Sequence, residues 1–448
     1  MTHLKRTALT MSVIIFPALL FFSCSGDRDV EKREPAASGK PNLVIASDED
    51  FHDWESLTLR NVFTRFNVVP ELGGKIMGFD LHGFQLLWHD PSKEGFVDTD
   101  QGYGSGGKFF NPGGAKVWPA PQGWSGPGEW PGPPDDVLDS APYDCSYDDD
   151  AIVVESPPDD GPGRTGLRFK HVYRLLPGAS LLDLDMSMTN VVDRPVTWGL
   201  WHLATVPVDR AFTVYVPVND GDWRVIFGDK DNPQWLGVEN GLFRARYDKK
   251  VGKVGMKVRE GWAAWHDEEN DVVFAMLYTV DRNARYPDGG SQFEIWTNGA
   301  GSITAGGEER TYEYSPESAF MELEVMGPLT GLSPDEKASM NVRWGVCRCS
   351  GVTEVTEAGV IVERLKYEND KLTGKFGVFY GGMLQTLYLS ETGKQLSIKN
   401  LMEVSPLSEV TIEQDSKDII TWRAKTIRFQ VTSFDKSVTK IIADVDLK

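Results

Sequence analysis

After Pro41 the chain consists almost entirely of short stretches in which apolar and polar residues alternate. These stretches are rich in β-branched and aromatic residues and end at Gly, Asn, Asp or Pro, which is the pattern of β-strands joined by turns. Helical periodicity of useful length is absent. The sequence therefore predicts an all-β fold of large antiparallel sheets packed face to face. The predicted strands include residues 57–69, 151–155, 167–176, 181–191, 212–218, 272–280, 293–296, 320–325 and 340–346.

A domain boundary is predicted near Ser350. Beyond Trp344 the only Trp is Trp422, and residues 350–448 contain alternating stretches that suit a small accessory β-sandwich. Its predicted strands are residues 358–365, 375–380, 383–389, 410–413, 419–422 and 427–431. We expect residues 42–349 to form the large domain, and we find no catalytic constellation in the accessory one.

The N-terminus has the pattern of a bacterial export signal. Lys5 and Arg6 precede an apolar stretch, residues 7–22, that is short for a membrane span. Ser23 and Cys24 follow it in the sequence LFFSC, which resembles a lipobox except for the large Phe22. We expect residues 1–23 to be a lipoprotein signal peptide, Cys24 to be lipidated and residues 24–41 to be a flexible tether. The predicted location is the bacterial cell envelope, with a cleaved signal or an uncleaved anchor as alternatives.

The composition excludes nucleic acid as a partner. The formal net charge is −20, whereas affinity for nucleic acid depends on neutralising phosphates with Lys and Arg. Acidic clusters such as residues 148–150 are typical of solvated turns, with a Ca²⁺ site as the alternative. Cys145, Cys347 and Cys349 lack the spacing of a zinc site, and we predict no metal and no cofactor.

Residues 109–143 form an unusual segment. They contain eight Pro, frequent Gly, one Lys and three of the fourteen Trp. Pro and Gly interrupt both helices and strands, while the Trp content is too high for a disordered linker. The segment is therefore either an ordered loop that offers aromatic faces to sugar rings or a connection whose Trp side chains fill the edge of the core.

Three other segments resemble the galactose mutarotase-like (aldose 1-epimerase) superfamily, and they occur in the same order. Residues 69–76, with Phe79, Gly83 and residues 86–88, are similar to the hairpin that opens that fold. Residues 189–202 are similar to the stretch that carries a catalytic His, and residues 320–324 to the late strand that carries a catalytic Glu. The resemblance covers about residues 42–348 and implies a mutarotase-like supersandwich.

Within that superfamily, the Trp-rich segment is most similar to the uncharacterised DUF4380 family. The similarity lies in residues 113–121 together with Asp139 and Tyr143. The resemblance places this segment at one wall of the active cleft. Classical epimerases supply a second His there, whereas this chain has Lys116 and Trp118, so a different substrate or binding without turnover is expected.

The resemblance implies metal-free acid–base chemistry on a sugar or uronic acid. His202 is the candidate acid, and Glu322 or Glu324 is the candidate base. The two glutamates alternate with Met321, Leu323 and Val325, so they share one face of a strand. Two carboxylates in one cleft would raise one pKa and suit that group to proton transfer. The candidate substrate-binding residues are Lys116, Trp118, Trp124, Trp130, Trp201, Asp139 and Tyr143.

These patterns leave three functions open: a mutarotase-like enzyme, a carbohydrate-binding lipoprotein without activity, and a polysaccharide lyase-like enzyme. The first two differ in geometry. An enzyme of the first kind requires His202 to face a carboxylate of Glu322 or Glu324 across one cleft. A His202 that is buried against a backbone partner would favour the binding protein.

Overall fold

The computed structural model describes residues 43–97, 111–123, 129–133, 135–415 and 424–447. The predicted signal peptide and tether, Cys24 and Trp124 lie outside these residues. All described residues belong to one compact unit, Gly39–Lys448. Among them, no helix combines the length and the hydropathy that a membrane span needs.

The described residues are almost all in strands and turns. Besides the strands, the described residues include three 3-10 turns (Pro70–Leu72, Pro91–Lys93 and Pro316–Ser318) and one helical turn, α1 (Pro287–Gly290). The strands are β1 (Ile45–Phe51), β2 (Trp54–Arg60), β3 (Thr64–Val69), β4 (Lys75–Leu81), β5 (Phe84–Gln85), β6 (Ala115–Ala120), β7 (Asp144–Tyr147), β8 (Ala151–Glu155), β9 (Leu167–Leu175), β10 (Leu181–Asn190), β11 (Val196–Val206), β12 (Phe212–Phe227), β13 (Trp235–Glu239), β14 (Leu242–Ala245), β15 (Gly252–Val258), β16 (Trp262–Asp267), β17 (Val272–Tyr278), β18 (Phe293–Asn298), β19 (Gly301–Ala305), β20 (Glu308–Tyr312), β21 (Phe320–Met326), β22 (Thr330–Leu332), β23 (Lys337–Arg348), β24 (Glu354–Thr356), β25 (Gly359–Glu368), β26 (Lys371–Val378), β27 (Gly382–Leu389), β28 (Gln395–Val404), β29 (Val410–Asp415), β30 (Thr426–Ser433) and β31 (Thr439–Asp446).

Two large antiparallel sheets form the body of the protein. The first sheet has the order β1-β2-β3-β4-β6-β11-β21-β18-β15-β12. The second has the order β7-β8-β9-β10-β23-β17-β16-β12-β14-β13. The long strand β12 belongs to both, because its first half pairs in the second sheet and its second half in the first.

The main core lies between these two sheets. Phe79 of the first sheet contacts Phe274 and Trp344 of the second, with ring centroids 6.0 and 5.4 Å apart. Alternate side chains of each strand enter this core, as the two-residue repeat of a strand requires. The other face of the first sheet is therefore free to form a surface site.

Part of the other face of the second sheet packs against the C-terminal strands. These form two four-stranded sheets, β24-β25-β26-β29 and β28-β27-β30-β31. A second core joins Leu181, Val273 and Cys347 of the large sheet to Phe376 and Phe379 of the C-terminal strands. The Sγ atoms of Cys347 and Cys349 lie 3.9 Å apart in this core as free thiols.

The predicted all-β class with large antiparallel sheets is confirmed. The predicted single strand at residues 57–69 is wrong, because it is two strands, β2 and β3. Asn61 makes the turn between them, since its Oδ1 accepts hydrogen bonds from the backbone N–H groups of Phe63 and Thr64. Residues 419–422 lie outside the described residues, and the boundary at residue 350 stays a prediction.

Candidate ligand-binding cleft

The pairing of strands in the first sheet brings one set of side chains to its outer face. Residues directly opposite each other on neighbouring strands share a face. Across β6, β11, β21 and β18, one such row contains Lys116, Leu203, Glu324 and Glu294. One neighbouring row on the same face contains Trp118 and Trp201. Another contains Glu322, Trp296, Lys253 and Phe227.

A cleft of about 420 Å³ lies over this face. That volume falls in the usual range for small-molecule sites, roughly 300–1,000 Å³. Loops and the β19–β20 hairpin supply the rim, and the sheet supplies the floor. The lining residues are Trp88, Asp90, Lys93, Asn111, Trp118, Gln122, Pro133, Trp201, Phe227, Lys253, Trp296, Asn298, Arg310, Tyr312, Ser318, Phe320, Glu322 and Glu324.

Aromatic rings line the cleft on three sides. Trp88 lies 4.8 Å from Phe320, measured between ring centroids, and Trp296 lies 5.8 Å from Tyr312. On the floor, Trp118 and Trp201 meet edge to face at 5.1 Å. Both Trp88 and Trp296 are half-buried, so part of each ring is accessible to a ligand.

One buried lysine sits between two carboxylates on the floor. The Nζ of Lys253 lies 2.7 Å from Glu294 Oε2 and 2.9 Å from Glu324 Oε2. It also lies 4.5 Å from the centre of the Trp201 ring, a cation–π contact. All three charged residues are buried, and Glu324 Oε1 has no hydrogen-bond partner among the described residues. Lys253 and Glu324 also line the cleft, so the cluster forms part of its floor.

Burial dominates the titration of this cluster. It raises the pKa of Glu324, and the nearby Lys253 offsets only part of the increase, while Glu294 and Glu322 add to it. Burial also raises the pKa of Glu294 against the opposing effect of Lys253. For Lys253 burial acts to lower the pKa, but the two carboxylates outweigh it and the pKa is raised. The cluster therefore holds a proton more tightly than isolated glutamates would.

A second ion pair lies nearby. Lys116 Nζ is 3.3 Å from Glu322 Oε1 and donates to Asn111 Oδ1 at 2.8 Å. It also lies 4.8 Å from the centre of the Trp118 ring. The predicted residues Lys116, Trp118, Trp201, Glu322 and Glu324 are thus brought together around one cleft.

His202 does not face this cleft. Its strand neighbours are Val117 and Val325, which belong to the core side of the sheet. Its ring lies 5.5 Å from Trp344 of the second sheet, and its Nδ1 is 3.2 Å from the carbonyl oxygen of Lys116. Burial lowers its pKa to about 4. The predicted role as general acid is contradicted, because the sheet itself separates this imidazole from the cleft.

Three further candidates lie behind the cleft rather than in it. Trp130 is buried against Trp118, and its Nε1 donates to Asp135 Oδ2 at 2.9 Å. Asp139 is buried and binds Trp118 Nε1 and Lys75. Tyr143 is buried, and its hydroxyl donates to the carbonyl oxygen of Leu138 at 2.8 Å. These contacts contradict a direct role in substrate binding and show side chains that fix the Trp-rich segment instead.

Several cleft residues are not identified by the sequence patterns. Lys253, Glu294, Trp88 and Trp296 were not among the candidates. A usable signal existed for two of them, since Glu294 and Trp296 alternate with Phe293 and Ile295 as Glu322 and Glu324 do with their neighbours. No sequence signal identifies Lys253, because its position between Glu294 and Glu324 depends on contacts with two strands that are distant in sequence.

The model of the family DUF4380, a domain of unknown function, matches residues 54–347, more than half of the chain. No curated protein matches it.

Several solved structures are similar in fold. A galactose mutarotase-like protein from Lactobacillus casei ATCC 334 is 12% identical, with a TM-score of 0.42, over 65% of this chain and 99% of that chain. One from Clostridium acetobutylicum is 12% identical, with a TM-score of 0.41, over 69% and 100%. A TPR-domain containing protein from Parabacteroides distasonis ATCC 8503 is 14% identical, with a TM-score of 0.45, over 70% of this chain and 50% of that chain. At these values the similarity supports no statement about activity.

Proposed function

The chain belongs to the DUF4380 family, as the sequence predicted, and from its own cleft we propose that it binds a carbohydrate. The observation that carries this proposal is the combination of half-buried rings on the rim with charged hydrogen-bonding groups on the floor. A sugar ring has apolar C–H faces and a polar edge of hydroxyl groups. Trp88 and Trp296 suit the faces, and the carboxylate of Glu324 and the Lys116–Glu322 pair suit the hydroxyls.

The charges on the floor favour a ligand with many hydroxyl groups over an apolar one. Lys116, Lys253, Glu294, Glu322 and Glu324 are buried with ion-pair partners. An apolar ligand would remove the remaining water from these groups without replacing its hydrogen bonds, which is costly. A sugar replaces water with hydroxyl groups that both donate and accept. Lys93 and Arg310 also line the cleft, so an acidic sugar is included in the class.

The test is a binding titration with neutral sugars and uronic acids, followed by tryptophan fluorescence and calorimetry. Trp296→Ala should weaken binding at least about tenfold, equal to about 1.4 kcal/mol. Trp223→Ala is the matched control, because Trp223 is also half-buried but packs on Phe243 away from the cleft. If no sugar binds, or if both variants lose affinity equally, the proposal is wrong.

A second candidate function is acid–base catalysis of sugar-anomer interconversion by the two glutamates alone. The observation that favours it is the difference between their surroundings. Glu324 is fully buried with a raised pKa, so it can hold a proton for a ring oxygen. Glu322 forms an ion pair with Lys116, so it can accept a proton from the anomeric hydroxyl. Pairs of carboxyl groups in such contrasting environments often divide the roles of acid and base.

Anomer interconversion can be followed by NMR for any sugar that binds. We expect Glu324→Gln and Glu322→Gln each to lower the rate by roughly 10²–10⁴-fold. His202→Asn should lower it far less if it folds, since that ring lies behind the sheet. Measurable binding without acceleration over buffer would leave the protein a carbohydrate-binding module.

We also propose that the protein is held at the bacterial cell envelope through a lipid on Cys24. The support is the sequence pattern around LFFSC, since Cys24 lies outside the described residues. Labelled palmitate should be incorporated into the wild-type protein and not into Cys24→Ser. Equal labelling of both would contradict the anchor.

A further inference from the structure

Two histidines and one glutamate meet at the edge of the first sheet. His52 Nδ1 lies 3.1 Å from Glu94 Oε1, and His89 Nε2 lies 2.8 Å from the same oxygen. The candidate ligand atoms all lie within 4.8 Å of one another. The two imidazole rings are 4.4 Å apart between centroids. None of these residues lines the cleft or belongs to the proposed sugar site.

The atoms that converge here are suitable for a transition metal. Imidazole nitrogen is a preferred ligand of Zn²⁺, Ni²⁺ and Cu²⁺, and two imidazoles with one carboxylate form a known type of zinc ligand set. With metal–ligand distances near 2.0–2.1 Å, tetrahedral ligands are roughly 3.3 Å from each other. The two distances to Glu94 are close to that value, and the two imidazole nitrogens, which lie within 4.8 Å of each other, would move to a similar separation when a metal binds.

The backbone holds these side chains in place. His52 and Asp53 form the two-residue turn between β1 and β2, with φ of 47° and 66°. A residue with a Cβ adopts this left-handed conformation at a cost of about 1 kcal/mol, and here the turn brings the His52 ring to His89. The loop that carries Glu94 is fixed on its other side, because Trp54 Nε1 donates to the carbonyl oxygen of Phe96 at 2.9 Å.

His89 is the most buried of the three. Its side chain is 16% exposed, against 31% for Glu94 and 40% for His52. Its ring packs edge-on against Phe51 and Trp54, and its backbone forms a β-bridge with Gly113. The set is therefore anchored on one side and open to solvent on the other, which leaves space for a metal to enter and for water to complete its coordination.

We propose that His52, His89 and Glu94 bind a divalent transition metal ion, with zinc as the best fit. The site has a structural consequence for the cleft. The residue after His89 is Asp90, which forms an ion pair with Lys93 at 2.7 Å, and Lys93 Nζ donates to the carbonyl oxygen of Asn111 at 3.1 Å. A metal that ties this loop to the β1–β2 turn would fix Asp90 and Lys93 at the rim.

The test uses the full chain without a histidine tag, stripped with EDTA and titrated with ZnCl₂ in a calorimeter. We expect one saturable site per chain and a rise in melting temperature with zinc. Co²⁺ in place of zinc should give visible absorption bands of a low-coordinate nitrogen and oxygen site. His52→Asn should lower zinc affinity at least about tenfold, and the turn should tolerate it, since Asn adopts positive φ readily.

His82→Asn is the matched control. His82 is also exposed and occupies the first position of a two-residue turn, with φ of 50°, between β4 and β5. The His82→Asn variant should bind zinc with the affinity of the wild type. Glu94→Gln should resemble His52→Asn. Absence of saturable binding, equal loss in both histidine variants, or full affinity in His52→Asn would overturn the proposal.

Discussion

At the scale of single residues, Lys253 decides the electrostatics of the cleft. Two buried carboxylates side by side would repel each other strongly, and an uncompensated buried charge is severely destabilising. Lys253 lies within 3 Å of an oxygen of each. Three ionisable groups therefore share one desolvated position, and the carboxylates titrate together rather than separately.

This cluster predicts a pH dependence of stability. Because burial raises the pKa of Glu324 in the folded state, the folded chain binds more protons than the unfolded one between the ordinary carboxyl pKa and the raised one. Stability from this group is then present at low pH and is lost as pH rises through that window. Glu324→Gln removes this titration. The free energy of unfolding of the variant should therefore rise relative to that of wild type between about pH 5 and about pH 8.

The measurement is urea unfolding at a series of pH values, with the free energy of unfolding of the variant compared with that of wild type at each pH. A difference that stays constant, or that shrinks as pH rises, would contradict the predicted sign.

The residue scale also shows what the sequence could predict of the site. On β21, Glu322 and Glu324 alternate with apolar residues, so their shared face was predictable. On β11, residues 198–206 are buried on both faces, because one face covers the core and the other forms the floor of the cleft. The alternation of apolar and polar residues then does not indicate which face a residue occupies. The face of His202 depends on how β11 pairs with β6 and β21. The resemblance identified His202 as a candidate, but tertiary packing places its side chain on the core face of the sheet and not on the cleft face.

At the scale of elements, two hairpin turns of the first sheet share one geometry but differ in sequence. The β1–β2 turn has His52 and Asp53, whereas the β4–β5 turn has His82 and Gly83, and all four residues have positive φ. Such turns favour Gly at the second position because it has no Cβ. Asp53 thus occupies a position that Gly would suit better, and Gly83 already meets the requirement.

Exchanging these residues should shift stability in opposite directions. Asp53→Gly should raise the free energy of unfolding, and Gly83→Asp should lower it, each by up to about 1 kcal/mol. A Cβ at Gly83 would meet no atom within 4 Å, so any loss there reports backbone strain alone. Urea unfolding of both variants measures the effect. Changes of the same sign in the two would show that turn geometry is not the cause.

The Trp-rich segment shows where sequence prediction stops at this scale. Its content of Pro and Gly predicted a loop, but residues 115–120 form β6, which pairs with β11 in the first sheet, and residues 124–128 and 134 lie outside the described residues. Which Trp side chain faces the cleft is not predictable from the sequence, because long-range contacts decide it. Asp139 accepts from Trp118 and forms an ion pair with Lys75 of β4 at 3.1 Å. A Cβ at Gly73, where φ is 71°, would lie 2.3 Å from the carbonyl oxygen of Asp139, so this turn and the segment are packed backbone to backbone.

At the scale of the whole molecule, the layers follow from strands that are apolar on both faces. β16, β17 and the second half of β23 are buried throughout nearly all their length, as strands between two packed layers must be. The sequence predicted a separate module after residue 350, but not that the C-terminal strands share a core with the second sheet through Leu181, Val273 and Cys347. β12 was likewise predicted only in its first half, since its passage between sheets has no local signal.

The shared second core predicts that the C-terminal sheets unfold together with the large ones. Phe379 is fully buried, and Gly345 of β23 packs so closely that a Cβ there would lie 2.8 Å from the Phe379 ring. Phe379→Ala should lower stability by about 3–5 kcal/mol, and hydrogen exchange should accelerate in β17 and β23 as well as in β26. Phe434→Ala, at an exposed phenylalanine, should change stability by well under 1 kcal/mol. Because each layer supplies one side of this core, loss of protection confined to β24–β31 would show instead that the C-terminal sheets form an independently folding domain.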